Sequence, residues 1–275
     1  MSPPAASPSR RHSGAAPPPV RRSATFASQP EPATLEVTRL GQVEYARALD
    51  LQADLVRRRA AGEIPDQLLL LEHPHVVTLG SSAHRDHVLA SDVQLRERGI
   101  ELFEAGRGGD VTYHGPGQLV GYPILRLGPG RRDLHRYLRD LEEVLIRALA
   151  AFGVPAGRAQ GLTGVWTEGR KIAAIGIRVS SGWVTSHGFA LNVEPDLDYF
   201  ANIIPCGIHG REVTSLAECI GGRVPMAAVE DDVVSAFAEV FAASPAHRPR
   251  REATHDARDR REIPTDPRED PVPRT

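Results

Sequence analysis

Two side chains in this 275-residue sequence call first for a chemical explanation, Lys171 and Cys206. Arginine supplies every other one of the 33 basic residues, so Lys171 is the single lysine. GC-rich codon bias could leave one lysine anywhere by chance. A site needing a base that can lose and regain its proton, however, cannot use guanidinium, which stays charged in proteins. Cys206 stands in Ile203-Ile204-Pro205-Cys206-Gly207-Ile208-His209. Proline and glycine on either side predict a turn that exposes the thiol and frees the following N–H to act as an oxyanion donor. Most lone cysteines are inert packing residues, and that is the role expected for Cys219 in the helical stretch VTSLAECIGG. A thiolate is the reactive form of cysteine, and a neighbouring amine can take its proton. The competing metal reading, Cys206 and His209 with His187 or His114, lacks a C-x-x-C pair, so no metal is expected.

A second segment is Arg107-Gly108-Gly109-Asp110-Val111-Thr112-Tyr113-His114, followed by Gly115-Pro116-Gly117-Gln118. Its glycines remove side chains where something approaches the backbone closely or where φ must be positive. A tight surface turn would use them as well; Arg107 and His114 favour a binding loop. A third is Lys171-Ile-Ala-Ala174-Ile175-Gly176-Ile177, answered by His187-Gly188-Phe189-Ala190-Leu-Asn192. Small residues inside a strand mean that another group lies against it. A slot floored by Ala and Gly and walled by Ile175, Ile177 and Phe189 would suit an acyl chain; a packed helix would fit it equally. His187 by itself reads as a satisfied structural histidine.

The elements that must position these residues follow from periodicity. A helix is expected from Gln42 to about Ala61, then strands at Gln67–Glu72, Val76–Leu79, Ile100–Glu104 and Gln118–Leu127. Asp133 caps a helix whose Leu134, Tyr137, Leu138, Leu141, Val144, Leu145, Ala148 and Leu149 form one apolar stripe. A last helix runs from Pro225 to Ala242. Lys171–Val179 and Trp183–Val193 form a hairpin across Ser180-Ser181-Gly182. A turn near residue 181 pairs Lys171 with roughly Asn192 and leaves fourteen residues to reach Cys206, ample at about 3.3 Å per residue. The fold class is mixed α/β with much antiparallel pairing, and no Rossmann or Walker fingerprint is present.

Composition limits the alternatives. The chain is 41% hydrophobic and 25% charged with a net charge of −2, so no global field points to nucleic acid or an anionic membrane. The ends differ from the middle. Residues 1–33 carry eight prolines and a net charge of +3, and 245–275 alternate charge with proline, leaving 34–244 at about −6. A single domain over 34–244 between two disordered tails is expected. The first tail reads as disorder or an over-extended start rather than a transit peptide, since Pro17-Pro18-Pro19 would break an amphipathic helix. Two cysteines are too few for a disulfide framework and fit a reducing compartment.

Together, RGGDVTYHGPGQLVGYPI, KIAAIGIRV, WVTSHGFALNV and IPCGIHGREVTSL, with LLLLEHPHVVTLG upstream, resemble, in matching order from about Leu68 to Leu216, the lipoyl(octanoyl) transferase family of lipoate biosynthesis. The resemblance implies the biotin- and lipoate-ligase fold of largely antiparallel mixed sheets flanked by helices; a cytoplasmic monomer without a cofactor is expected. It implies transfer of octanoyl from acyl carrier protein to the ε-amine of a lysine on the lipoyl domains of 2-oxoacid dehydrogenases and the glycine cleavage H protein. Carried onto this chain, Cys206 becomes the acyl-thioester nucleophile and Lys171 its base. Arg107 to His114, Ala174 to Gly176 and Gly188 to Ala190 then line the substrate pocket. The SSGW turn is one residue longer than the family's usual form. Two rivals remain: an ATP-dependent ligase on the same scaffold, and a non-catalytic acyl-binding module.

Overall fold

The computed structural model describes residues 33–204 and 212–247. Within them the chain runs β1 (Ala33–Gln42), α1 (Tyr45–Ala61), β2 (Asp66–Glu72), β3 (Val76–Leu79), α2 (Asp92–Glu97), β4 (Glu101–Glu104), β5 (Val111–His114) and β6 (Gln118–Ile124). It continues through α3 (Leu134–Ala151), β7 (Val165–Thr167), β8 (Arg170–Val179), β9 (Thr185–Asn192), α4 (Leu216–Ile220), α5 (Met226–Phe241) and β10 (Ala243–His247). Seven strands form one sheet in the order β10-β1-β2-β6-β9-β8-β7, and β4-β3-β5 form a second. In the large sheet β1 runs parallel to both β10 and β2, and the other four contacts are antiparallel. The mixed, largely antiparallel architecture expected from the sequence is the one observed.

Both faces of the large sheet are buried, and the two-residue period of a strand explains how. Leu68 and Leu70 of β2 point into a core shared with α3 and α5, whereas Leu69 and Leu71 pack against Ala48 and Leu55 of α1. Six of the eight residues of the predicted α3 stripe are buried, Tyr137, Leu141, Val144, Leu145, Ala148 and Leu149, whereas Leu134 in the first turn is exposed and Leu138 half-buried. Each fully buried leucine there contributes about 1.5–3 kcal/mol. Asp133 caps the helix by accepting from His135 N at 2.9 Å and Arg136 N at 3.1 Å. The small sheet has its own cluster, in which Val77, Val111 and Tyr113 meet Phe200 and Ile203. Among the described residues no helix is long and apolar enough to cross a membrane.

Several expectations need correction. The segment Gln42–Glu44 does not open a helix; Gln42 ends β1, a strand absent from the sequence reading, and α1 begins at Tyr45. The last strand continues to His247, three residues past the expected domain boundary, because its backbone pairs with β1. The glycine-rich segment is not loop throughout: Val111–His114 is a strand paired antiparallel with β3. The hairpin register is shifted by one, with Ala173 opposite Leu191, so Lys171 does not face Asn192. Its backbone is instead held by Glu212 and Thr214, with Lys171 N donating to Glu212 O and Thr214 N to Lys171 O, both at 3.0 Å.

Candidate active site

Between the large sheet and β5 lies a pocket whose walls come from both. It is lined by Arg107, Gly109, Asp110, Val111, Thr112 and His114 from one motif and by Ala174, Ile175 and Gly176 of β8. Gly188, Phe189 and Ala190 of β9 complete the expected set, and Tyr45, Tyr122 and His187 join it. Twelve of the fourteen residues assigned to the substrate pocket therefore meet in one place. The other two stand behind it. Gly108 donates its N–H to Ile177 O at 2.8 Å, and Tyr113 turns into the small-sheet core with its hydroxyl 2.7 Å from His75 Nδ1.

The strand glycines are there for close approach. A Cβ on Gly188 would sit 2.2 Å from Gly121 O, and one on Gly176 would sit 2.9 Å from Gly108 O and 3.1 Å from Arg107 Cδ. A methyl group at 176 would press the glycine loop off the strand and narrow the slot. Arg107 is held beside it, 7% exposed, with Nη2 donating to Thr78 O at 2.7 Å and Nη1 to Gly108 O at 3.1 Å.

Three residues escaped the sequence reading of the pocket. His187 and Tyr122 lie inside the quoted motifs, where alternation along a strand was the available signal: Tyr122 shares its face of β6 with Val120 and Ile124. Tyr45, some sixty residues upstream of the glycine motif, carried none. His187, expected as a structural histidine, stands in the pocket wall. It adopts a left-handed φ of 55° inside a strand, an uncommon and strained conformation for a non-glycine residue that gathers at functional sites. Gln52 of α1 holds it there, its Oε1 accepting from His187 N at 2.7 Å.

Next to the Arg107 guanidinium, His114 and His187 of the lining, Tyr45, and His73 beside His114 are kept uncharged. Burial is the leading cause in each case: it lowers His114 to about 3, His73 to about 4 and His187 to about 4, and raises Tyr45 to about 12. Arg107 adds repulsion at His114 and His187. A histidine with a folded pKa below its unfolded value of 6.5 binds its proton more readily in the unfolded chain. The stability it supports is full above about pH 6.5 and is lost as pH falls toward 4; at pH 5 one such residue accounts for about 2 kcal/mol. Urea midpoints are therefore expected to drop steeply between pH 6.5 and 4.5, and less steeply in His187→Asn. A midpoint that stays flat over that range would contradict the buried, neutral assignment.

Lys171, 7% exposed, is not part of the pocket lining; it stands three residues, about 10 Å of strand, before Ala174. Its Nζ lies over the Trp166 ring, 5.1 Å from the centroid, and Gly164 covers its stem: a Cβ there would be 3.3 Å from Lys171 Cε. Glu142, 1% exposed, secures that cover by accepting from Gly164 N at 3.1 Å, and is itself paired with Arg139 at 2.6 Å and Arg158 at 3.0 Å. Cys206 and His209 fall outside the described residues. The chain enters that stretch from Ile204, whose N–H donates to His87 O at 2.7 Å, and leaves it at Glu212 on the Lys171 backbone. Among the described residues no group of three or more His, Cys, Asp or Glu could hold a metal ion.

The fold that builds this pocket is that of the lipoate protein ligases. A lipoate-protein ligase A structure bound with ATP superposes with a TM-score of 0.61 at 17% identity, over 78% of this chain and 90% of that one. A bipartite lipoate protein ligase from Thermoplasma acidophilum gives 0.59 at 17% identity, over 78% and 87%. The chain belongs to the family of the lipoyl protein ligase A/B catalytic domain, whose model matches residues 44–238. Within curated proteins, an octanoyltransferase of Rubrobacter xylanophilus is 56% identical over 211 residues, covering 76% of this chain and 95% of that protein. An octanoyltransferase of Gloeobacter violaceus is 55% identical over 202 residues, covering 73% and 87%.

Proposed function

We propose that this protein is an octanoyltransferase of lipoate biosynthesis, moving octanoyl from acyl carrier protein to the ε-amine of a lysine on a lipoyl domain through a Cys206 thioester. The observation that carries this reading is the pocket: Ala174, Gly176, Gly188 and Ala190 lie on one face of the β8–β9 pair and leave room for an unbranched chain, with Arg107 and His114 at its polar side, whereas Ile175 and Phe189, expected as walls, turn to the opposite face and the main core. The identity to the Rubrobacter xylanophilus octanoyltransferase supports the acyl group.

In the proposed reaction Lys171 Nζ takes the proton of Cys206 Sγ. The thiolate attacks the thioester carbonyl, the bond to the carrier sulfur breaks, and the carrier leaves as a thiol with the proton from Lys171. The Trp166 face stabilises the ammonium formed in between. The acceptor amine then attacks acyl-Cys206, the C–S bond breaks, and the amine's proton passes to Lys171. Conversion of a thioester to an amide is downhill, so the reaction requires neither ATP nor a metal. An assay with octanoyl carrier protein and a lipoyl domain tests the reading: transfer at an equal rate with and without ATP is expected, and dependence on ATP would make the chain a ligase.

A narrower test addresses the slot. Gly176→Ala places a methyl 2.9 Å from Gly108 O, so octanoyl transfer should fall by roughly tenfold while butanoyl transfer is affected much less, a discrimination of the size that one or two methylenes give in a pocket. Equal losses for both donors would remove the acyl chain from this position.

A further inference from the structure

A line of buried hydrogen bonds passes beneath the pocket, and its direction can be read from its fixed ends. Asn192 Nδ2 donates to Thr214 O at 2.9 Å. A backbone carbonyl can only accept, so the Asn192 amide is oriented and its Oδ1 faces the other way, 2.9 Å from Gln118 Nε2. The same nitrogen lies 3.3 Å from Tyr113 O, a second group that can only accept. With both amide hydrogens directed at these acceptors, Gln118 presents Oε1 to His114 Nδ1 at 2.7 Å. Two acceptors cannot share that contact, so the imidazole proton sits on Nδ1. The members are 7% (His114), 2% (Gln118), 4% (Asn192) and 0% (Thr214) exposed, out of reach of competing water. At the far end Thr214 N donates to Lys171 O at 3.0 Å, which ties the line to the strand that carries the lysine.

We propose that Gln118 and Asn192 are positioning residues that fix His114 as the Nδ1–H tautomer, leaving a lone pair on Nε2 at the pocket wall as the acceptor for an N–H of the attacking amine. The tautomer of a histidine is set by the hydrogen bond its other nitrogen makes. A ring in this state offers no hydrogen from Nε2, so it cannot serve an oxyanion; the amine is the reacting group with hydrogens to give. Burial keeps the ring from taking up a second proton that would reverse this polarity. The role assigned to the amine rests on the octanoyl-transfer reading, whereas the tautomer rests on geometry alone.

The test begins with the full-length protein labelled with ¹⁵N-histidine and free of substrate. Long-range ¹H–¹⁵N correlation at neutral pH, with His114 signals identified by their loss in His114→Asn, should show a protonated-type Nδ1 and a lone-pair-type Nε2. A proton on Nε2, or an average of the two forms, overturns the proposal, and this readout stands whether or not octanoyl is the acyl group. Gln118→Met is then expected to release the tautomer. Single-turnover transfer from preformed acyl-enzyme to a lipoyl domain should fall by roughly 100-fold, the effect of misplacing a reacting group, while acylation by the carrier stays near wild type. Equal losses in both half-reactions mark a merely structural role and overturn the proposal, as does a variant with the wild-type rate in both.

Discussion

Lys171→Arg is expected to reduce acylation by octanoyl carrier protein on the order of 10³-fold, within the range typical for loss of a proton-transferring group, although the positive charge is kept. The reason is the difference between the two cations. Lysine can give up its proton and take it back, whereas guanidinium stays charged in proteins. If the side chain worked only as a fixed charge beside a thiolate, arginine would preserve much of the rate. The surroundings sharpen the contrast, because Lys171 is enclosed by Trp166 and by Gly164, which the buried Glu142 holds in place. Stopped-flow acylation of Lys171→Arg and Lys171→Met should show both to be similarly slow. Wild-type-like acylation by the arginine variant would remove the base from the mechanism.

How far the sequence carried this picture depended on the range of the interactions involved. The α3 stripe and its Asp133 cap are local in sequence, and from Tyr137 onward the stripe is buried where periodicity places it, only the first-turn Leu134 staying exposed. The β8–β9 hairpin is local too, but its register depends on one residue in the turn, and Ala173 opposite Leu191 differs by that one residue from the expected pairing. Strand β1 was illegible because both of its partners are parallel: β2 is reached only through α1, and β10 lies some two hundred residues downstream. The pocket shows the same division. Its glycine and alanine positions were legible because small residues are anomalous in strands, yet Tyr45 joins them by tertiary packing alone, through α1 lying on the sheet. The tie between Lys171 and the 212–214 segment was invisible for a related reason: it is a pair of backbone hydrogen bonds, which no side-chain pattern announces.

The second large effect concerns sulfur. A serine hydroxyl is a far weaker acid than a cysteine thiol, which is near pKa 8.5 unperturbed, so an amine able to accept the thiol proton leaves a hydroxyl intact. Any oxygen ester formed would in turn be a poorer acyl donor to an amine than the thioester. Cys206→Ser is therefore expected to lose the octanoyl adduct seen by intact mass in the wild type and to slow transfer by on the order of 10³-fold or more, as removal of a nucleophile does. The chain has only two cysteines, which makes the control decisive. Cys219 on α4 packs against the main core, its sulfur 3.8 Å from Thr214 Oγ1, so Cys219→Ser should acylate and transfer like the wild type. Proteolysis should map the adduct to the peptide containing Cys206; an adduct on Cys219, or full acylation of Cys206→Ser, would show that octanoyl reaches the acceptor by another route.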